Sequence, residues 1–175
     1  MQQVAREPEL AQQEFSGVDF RNALGVFATG VTVITTQGVE HPFGMTANAF
    51  SSVSLDPPLV LVCVISGTTG AESIERNGVF AVNILGAEHE PISRYFSSKD
   101  RPRGPDAFKE IPHFFGVTGA PILEGAAGYL DCQVHAAHEA GDHIIFIGEV
   151  MALGFEADVD PLLFHGGRYR SVRVD

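Results

Sequence analysis

Between Ala126 and Phe155 the chain reads as two long strands, roughly Ala126 to Ala137 and His143 to Phe155. The turn Glu139-Ala140-Gly141-Asp142 joins them as a hairpin. Strands of that length call for a sheet, and the rest of the chain supplies one. Val31 to Thr36 alternates β-branched residues with period two. A turn at Gln37–Gly38 leads to a second strand around Phe43 to Phe50, and Ser54 to Pro58 breaks the chain. Leu59 to Ile65 and Val79 to Leu85 read as buried strands. Leu162 to Phe164, a Gly166–Gly167 turn and Tyr169 to Val172 complete the set. Helices are predicted over Asp19 to Ala28, after the Ser66 to Gly70 loop as far as Asn77–Gly78, and over Ala87 to Phe96 with a bend at Pro91. In the first, Asp19 is the expected cap, Phe20, Leu24 and Phe27 the apolar stripe, and Gly30 the stop. Seven or eight strands with two or three helices predict a mainly β protein, a β-barrel with helical decorations. Residues 1–15 are expected to be a mobile tail and 16–175 a single domain.

Composition then excludes several classes. A net charge of −11 argues against nucleic acid, since nothing would neutralise phosphates in bulk. No apolar run reaches membrane-spanning length and the start lacks a signal-peptide pattern, so the cytoplasm is the expected location. There is no Walker A motif, no GxGxxG and no GxSxG elbow. His135 and His138 have opposite parity on one strand, and His143 lies across the turn, so no metal site is expected. Cys63 and Cys132 form no CxxC, and Cys63 sits in an apolar run as a small hydrophobe. Asn83 is expected to satisfy buried backbone groups, and Asp56 to shape its turn. Ser97 to Pro105 reads as a polar surface loop, and no basic cluster is evident.

What remains is a set of small polar residues near strand ends: Thr29-Gly30, Thr46-Ala47-Asn48, Ser51-Ser52 and Ser66 to Gly70. Such residues let a planar ligand approach the backbone, or serve as ordinary β-turns. Longer segments are more specific. These are Phe27 to Thr36, Gly44 to Phe50, Ser51 to Pro58, Phe80 to Leu85, Gly141-Asp142-His143 and Phe164 to Tyr169. In order and spacing they resemble the short-chain flavin reductase family, the reductase components of two-component flavin monooxygenases, from about Phe20 to Val172.

The resemblance implies an FMN-binding split barrel that dimerises, binds FAD or FMN, and oxidises NADH, with NADPH left open. It implies that Thr46, Ala47 and Asn48 line the isoalloxazine ring, and that Ser51 and Ser52 contact flavin. It counts Thr29, Gly30 and Cys63 with the cofactor-binding set. Ser66, Gly67, Thr68 and Thr69 correspond to the loop for the flavin phosphate and ribityl chain. His143, Gly166, Arg168 and Tyr169 correspond to positions near the nicotinamide nucleotide, with His143 as the catalytic candidate, and Phe96 to the far end of FAD or NADH. The chain departs from the family at Ile65, Ser66, Thr69 and Gly70, where a polar or basic residue or a further Thr is usual. Against the family pattern this implies a phosphate clamp that is weaker or differently built, and FAD against FMN stays open. Flavin and nicotinamide carry the hydride chemistry themselves, which accounts for the lack of a catalytic triad. A partner monooxygenase receiving diffusing reduced flavin is implied. A non-enzymatic flavin-binding protein and an FMN-dependent oxidase on the same barrel are the alternatives.

Overall fold

The computed structural model describes residues 13–37 and 41–172. In chain order these form α1 (Gly17–Gly25), β1 (Thr29–Gly30), β2 (Thr32–Gln37), β3 (Pro42–Ala47), β4 (Phe50–Leu55), β5 (Pro58–Ile65), α2 (Thr69–Asn77) and β6 (Val79–Ile84). After them come α3 (Glu90–Ser97), β7 (His113–Phe115), β8 (Pro121–Leu123), β9 (Gly128–Ala140), β10 (His143–Phe155), β11 (Leu163–His165) and β12 (Arg168–Arg170). The expected mobile tail falls mostly on residues 1–12, outside the described residues, as does Gly38 of the turn at Gln37–Gly38.

Seven strands make one antiparallel sheet in the order β3-β2-β6-β9-β10-β5-β4. Its spine is the β9–β10 hairpin, thirteen residues on each side. The turn is tighter than expected: Ala140 pairs with His143, leaving Gly141 and Asp142 as the loop. Gly141 has φ +64, the left-handed first position of a two-residue hairpin turn.

The expected barrel is not closed by hydrogen bonds, since among the described residues no ladder joins the edge strands β3 and β4. Yet those strands are consecutive, linked by Asn48 and Ala49 alone. Three Cα steps span at most about 11 Å. A flat sheet of seven strands would hold its edges about 29 Å apart. The sheet therefore rolls until its two edges come together at this seam. Ile34, Val62, Val64, Phe80, Val82 and Phe146, drawn from strands in both halves of the sheet, form one core, with Ala71 and Ile74 of α2 packed into it. A second core, containing Val31, Val33, Leu85, Phe96, Phe108 and Leu162, lies between the opposite face of β2 and α3. This is why Thr32 to Thr36 are buried on both faces of the strand.

Asn83 is buried and fully used, as expected. Its Nδ2 donates to Val33 O at 3.0 Å and Thr35 Oγ1 at 3.1 Å, and its Oδ1 accepts from Leu123 N at 2.8 Å. Other expectations are corrected. The strand drawn over Phe43 to Phe50 is two strands, because the chain crosses from one sheet edge to the other at Asn48–Ala49. The break at Ser54 to Pro58 is a tight turn at Asp56–Pro57 between β4 and β5. Pro91 opens α3 rather than bending it, in the first turn where its missing N–H costs nothing. In α1, Ser16 is the cap and Asp19 completes a capping box. The helix ends at Gly25, before Phe27, and has no buried residue, so the stripe expected to face the core is exposed.

Candidate functional site

Two clefts meet at the seam. The first, about 590 Å³, is lined by β3 from Pro42 to Ala47, by Cys63 to Ile65 of β5, by Thr68 to Gly70, by Phe96, by His143, and by a segment running from Lys99 to Gly104. The second, about 1240 Å³, lies between β4–β5 on one side and α1, β1 and the β11–β12 hairpin on the other. Asn48, Ala49 and Cys63 belong to both. The first volume falls in the range of ligand pockets, about 300–1,000 Å³, and the second is larger.

The seam wall is built from small side chains. Cys63 N donates to Ala49 O at 3.0 Å, tying the link to β5. Burial pushes the Cys63 thiol above its usual value, so it stays protonated at neutral pH and serves as a small apolar wall. Asn48 Nδ2 donates to Thr29 Oγ1 at 3.2 Å, linking the two clefts' walls. Thr46 turns its hydroxyl away, donating to Ser93 O at 2.6 Å. With the Thr46 hydroxyl and the Asn48 amide both engaged, the wall of the first cleft from Thr46 to Ala49 is mainly backbone and methyl groups.

The structure divides the expected residues. Thr46, Ala47, Asn48, Cys63, Thr68, Thr69, Phe96 and His143 line the first cleft. Thr29, Gly30, Ser51 and Gly166 line the second, with Asn48 and Cys63 shared. Ser52, Ser66, Gly67, Arg168 and Tyr169 line neither. Ser66 N is committed to Asp142 O at 3.0 Å, within the turn that leaves β5. Thr68 caps α2: its hydroxyl accepts from Ala71 N at 3.4 Å and donates to Ile65 O at 2.7 Å. Tyr169 is tied to α3, sharing a 2.7 Å hydrogen bond with Ser93 Oγ beneath the Arg94 guanidinium.

Sequence reading missed the cations of the first cleft. Lys99, Arg101 and Arg103 are three of the chain's eleven Lys and Arg residues, and all three line it. The signal was their spacing of two within a segment read as a surface loop. Arg101 anchors that segment, donating from its two terminal nitrogens to Ser98 O at 3.0 Å and to Gly44 O. The rings of Phe43 and Phe96 each lie 5.8 Å from its guanidinium carbon. Burial lowers its pKa, yet Nε remains buried without a partner, a donor suited to an anion. Arg21, Asn22 and His165 of the second cleft were also missed. Among the described residues no group of His, Cys, Asp or Glu suits a metal.

Comparison with known proteins converges on one family. Residues 24–173 match the flavin reductase like domain. The NADH-dependent FAD reductase of Streptomyces globisporus is 43% identical over 159 residues, 90% of this chain and 87% of the relative. HsaB of Rhodococcus jostii (strain RHA1), the reductase subunit of a flavin-dependent monooxygenase, is 36% identical over 175 residues, 100% of this chain and 88% of its own length. Among solved structures, the Streptomyces globisporus C-1027 NADH:FAD oxidoreductase SgcE6, in complex with NAD and FAD fragments, superposes with a TM-score of 0.84 at 40% identity, covering 90% of this chain and 93% of that one. Nearly the whole chain is matched, by sequence and by fold alike: it belongs to the flavin reductase like domain family.

Proposed function

We propose that this protein is a NADH-dependent flavin reductase, taking FAD or FMN in the first cleft and the nicotinamide nucleotide through the second, with NADPH left open as donor. The observation that carries the reading is the junction at Asn48, Ala49 and Cys63, where two ligand-sized clefts share one wall of small residues. The donor set of the first cleft fits a flavin: a backbone-and-methyl surface at one end, and Lys99, Arg103 and the unpartnered Arg101 Nε toward the other, where phosphates belong. Bound flavin supplies the redox chemistry, accepting hydride from the reduced nicotinamide. The chain's own residues bind, orient and exclude water. Cys63 and Ala49 keep the junction thin and apolar. His143 offers one imidazole nitrogen to a ligand while Asp142 holds the other.

The rolled sheet with its unclosed seam supports the finer reading of a split barrel over residues 16–175. The uncovered apolar residues of α1, Val18, Phe20 and Leu24, support a homodimer that buries them. Relatives named as reductase subunits of monooxygenases support a partner monooxygenase, to which reduced flavin would pass by diffusion. No helix among the described residues is long and apolar enough to cross a membrane.

The test mixes purified protein, flavin and NADH and follows loss of nicotinamide absorbance. Rapid loss that depends on added flavin is expected. Tight flavin binding with no NADH consumption would instead identify a flavin carrier.

A further inference from the structure

We infer that Ser93 and Tyr169 are positioning residues, and that α3 is a strut fixing the nicotinamide-side wall against the flavin-side strand. The inference rests on the assignment of the two clefts proposed above.

The β11–β12 hairpin forms part of one wall of the second cleft through Phe164 to Gly167. Its turn, Gly166–Gly167, has φ +59 and +74, the paired left-handed residues of a tight two-residue turn. Gly166 N donates to Gly25 O at 2.9 Å, so the turn also holds the end of α1. This wall belongs to a separate three-stranded sheet, β1-β11-β12, and not to the rolled sheet that carries the first cleft. Something must set the spacing between the two sheets. Backbone bonds do so at the foot of the hairpin, where Val31 N donates to Leu162 O at 3.1 Å and Leu162 N to Leu85 O at 2.9 Å.

Beyond that foot, Asn48 ties the seam to Thr29 of β1, and the side chain that ties the hairpin's far strand, β12, is Ser93. It is fully buried, and it faces both ways. Its hydroxyl meets the Tyr169 hydroxyl at 2.7 Å, holding β12. Its carbonyl accepts from Thr46 Oγ1 at 2.6 Å, holding β3 in the first cleft. Arg94, next along α3, lies over the Tyr169 ring at 4.7 Å and is itself held by Glu90 at 2.7 Å. Phe96, one turn further, reaches the first cleft. A single helix residue thus connects a strand lining one cleft to the hairpin lining the other. Tyr169, expected from the sequence to touch the nucleotide, acts here through α3.

The test uses Tyr169→Phe and Ser93→Ala, each removing a hydroxyl and little else, in the full chain. Three readouts are taken: flavin affinity by fluorescence, NAD⁺ affinity of the flavin-loaded protein by calorimetry, and hydrogen exchange over residues 163–170. NAD⁺ Kd and NADH KM are expected to rise about three- to tenfold in each, with kcat and flavin Kd held within about twofold. Exchange over 163–170 should quicken. The double variant should match the singles, because both delete one bond. Unchanged NAD⁺ affinity with unchanged exchange, equal loss of flavin affinity, or multiplying effects in the double variant would each overturn the strut. A wild-type chain that binds flavin but no NAD⁺ would instead overturn the cleft assignment, and with it the role given to these two residues.

Discussion

His143 Nδ1 lies 2.7 Å from Oδ1 of Asp142, its neighbour in the hairpin turn. An ionised carboxylate only accepts, so Nδ1 carries the proton and Nε2 is left for a ligand. The pair stands at the start of β10, opposite Ile65 at the end of β5, and His143 lines the first cleft.

His143→Ala is therefore expected to weaken flavin binding about tenfold, the scale of one lost hydrogen bond, and to slow NADH oxidation at limiting flavin by a similar factor. Steady-state kinetics beside flavin fluorescence titration checks this. Unchanged flavin affinity beside slowed NADH oxidation would instead move His143 to the nicotinamide side, where the family resemblance places it. The hydrogen bond to His143 holds the Asp142 carboxyl below its ordinary value. Its contribution to stability is then present above the ordinary carboxylate range, near pH 3.9, and is lost as pH falls through the lowered value. Asp142→Asn should unfold more readily than wild type at neutral pH, and the two melting curves should converge in acid.

Ala47 faces the first cleft at the end of β3, paired with Thr32. An indole there fills the space assigned to the isoalloxazine ring. Ala47→Trp should weaken flavin binding about ten- to a hundredfold, read as a shifted fluorescence titration. Unchanged affinity would remove residues 46–48 from the site.

Lys99 and Arg103 stand at the cationic end of the same cleft, with Arg101 between them held by Ser98 and Gly44. Lys99→Ala and Arg103→Ala should each weaken flavin about two- to fivefold, the worth of a solvent-screened ion pair. The loss should shrink as salt rises. Running the titrations with both FMN and FAD tells which phosphates the segment serves.

Asn83→Ala should cost about 1–3 kcal/mol, because Leu123 N and Val33 O lose their partner inside the core. Thermal unfolding reads the cost. Activity per folded molecule should hold, since Asn83 lines neither cleft.

Local pattern made part of this molecule legible. The β9–β10 hairpin announced itself because long strands around a Gly-Asp turn leave few alternatives. Asn83 was readable because an amide in an apolar strand must find backbone partners. The split between β3 and β4 was not readable: Asn48–Ala49 contains neither Gly nor Pro, and the crossing is a property of the rolled sheet. The resemblance named Thr46, Ala47 and Asn48, and they do lie together, but it also named Tyr169, whose ring turns into the second core instead. The cations of 99–103 were passed over because a polar, Pro-rich stretch reads as surface, whereas Arg101's anchor on Gly44 and its place beside the Phe43 and Phe96 rings bring them inward. The exposure of α1 depends on what covers it, which one chain's pattern does not encode.

The two-residue bridge at Asn48–Ala49 gives the molecule an aperture governed by tether length rather than by side-chain chemistry. Opposite borders of one sheet are leashed so tightly that each added residue would slacken the mouths of both clefts together. A chain of this design can trade ligand size against grip simply by letting out that leash.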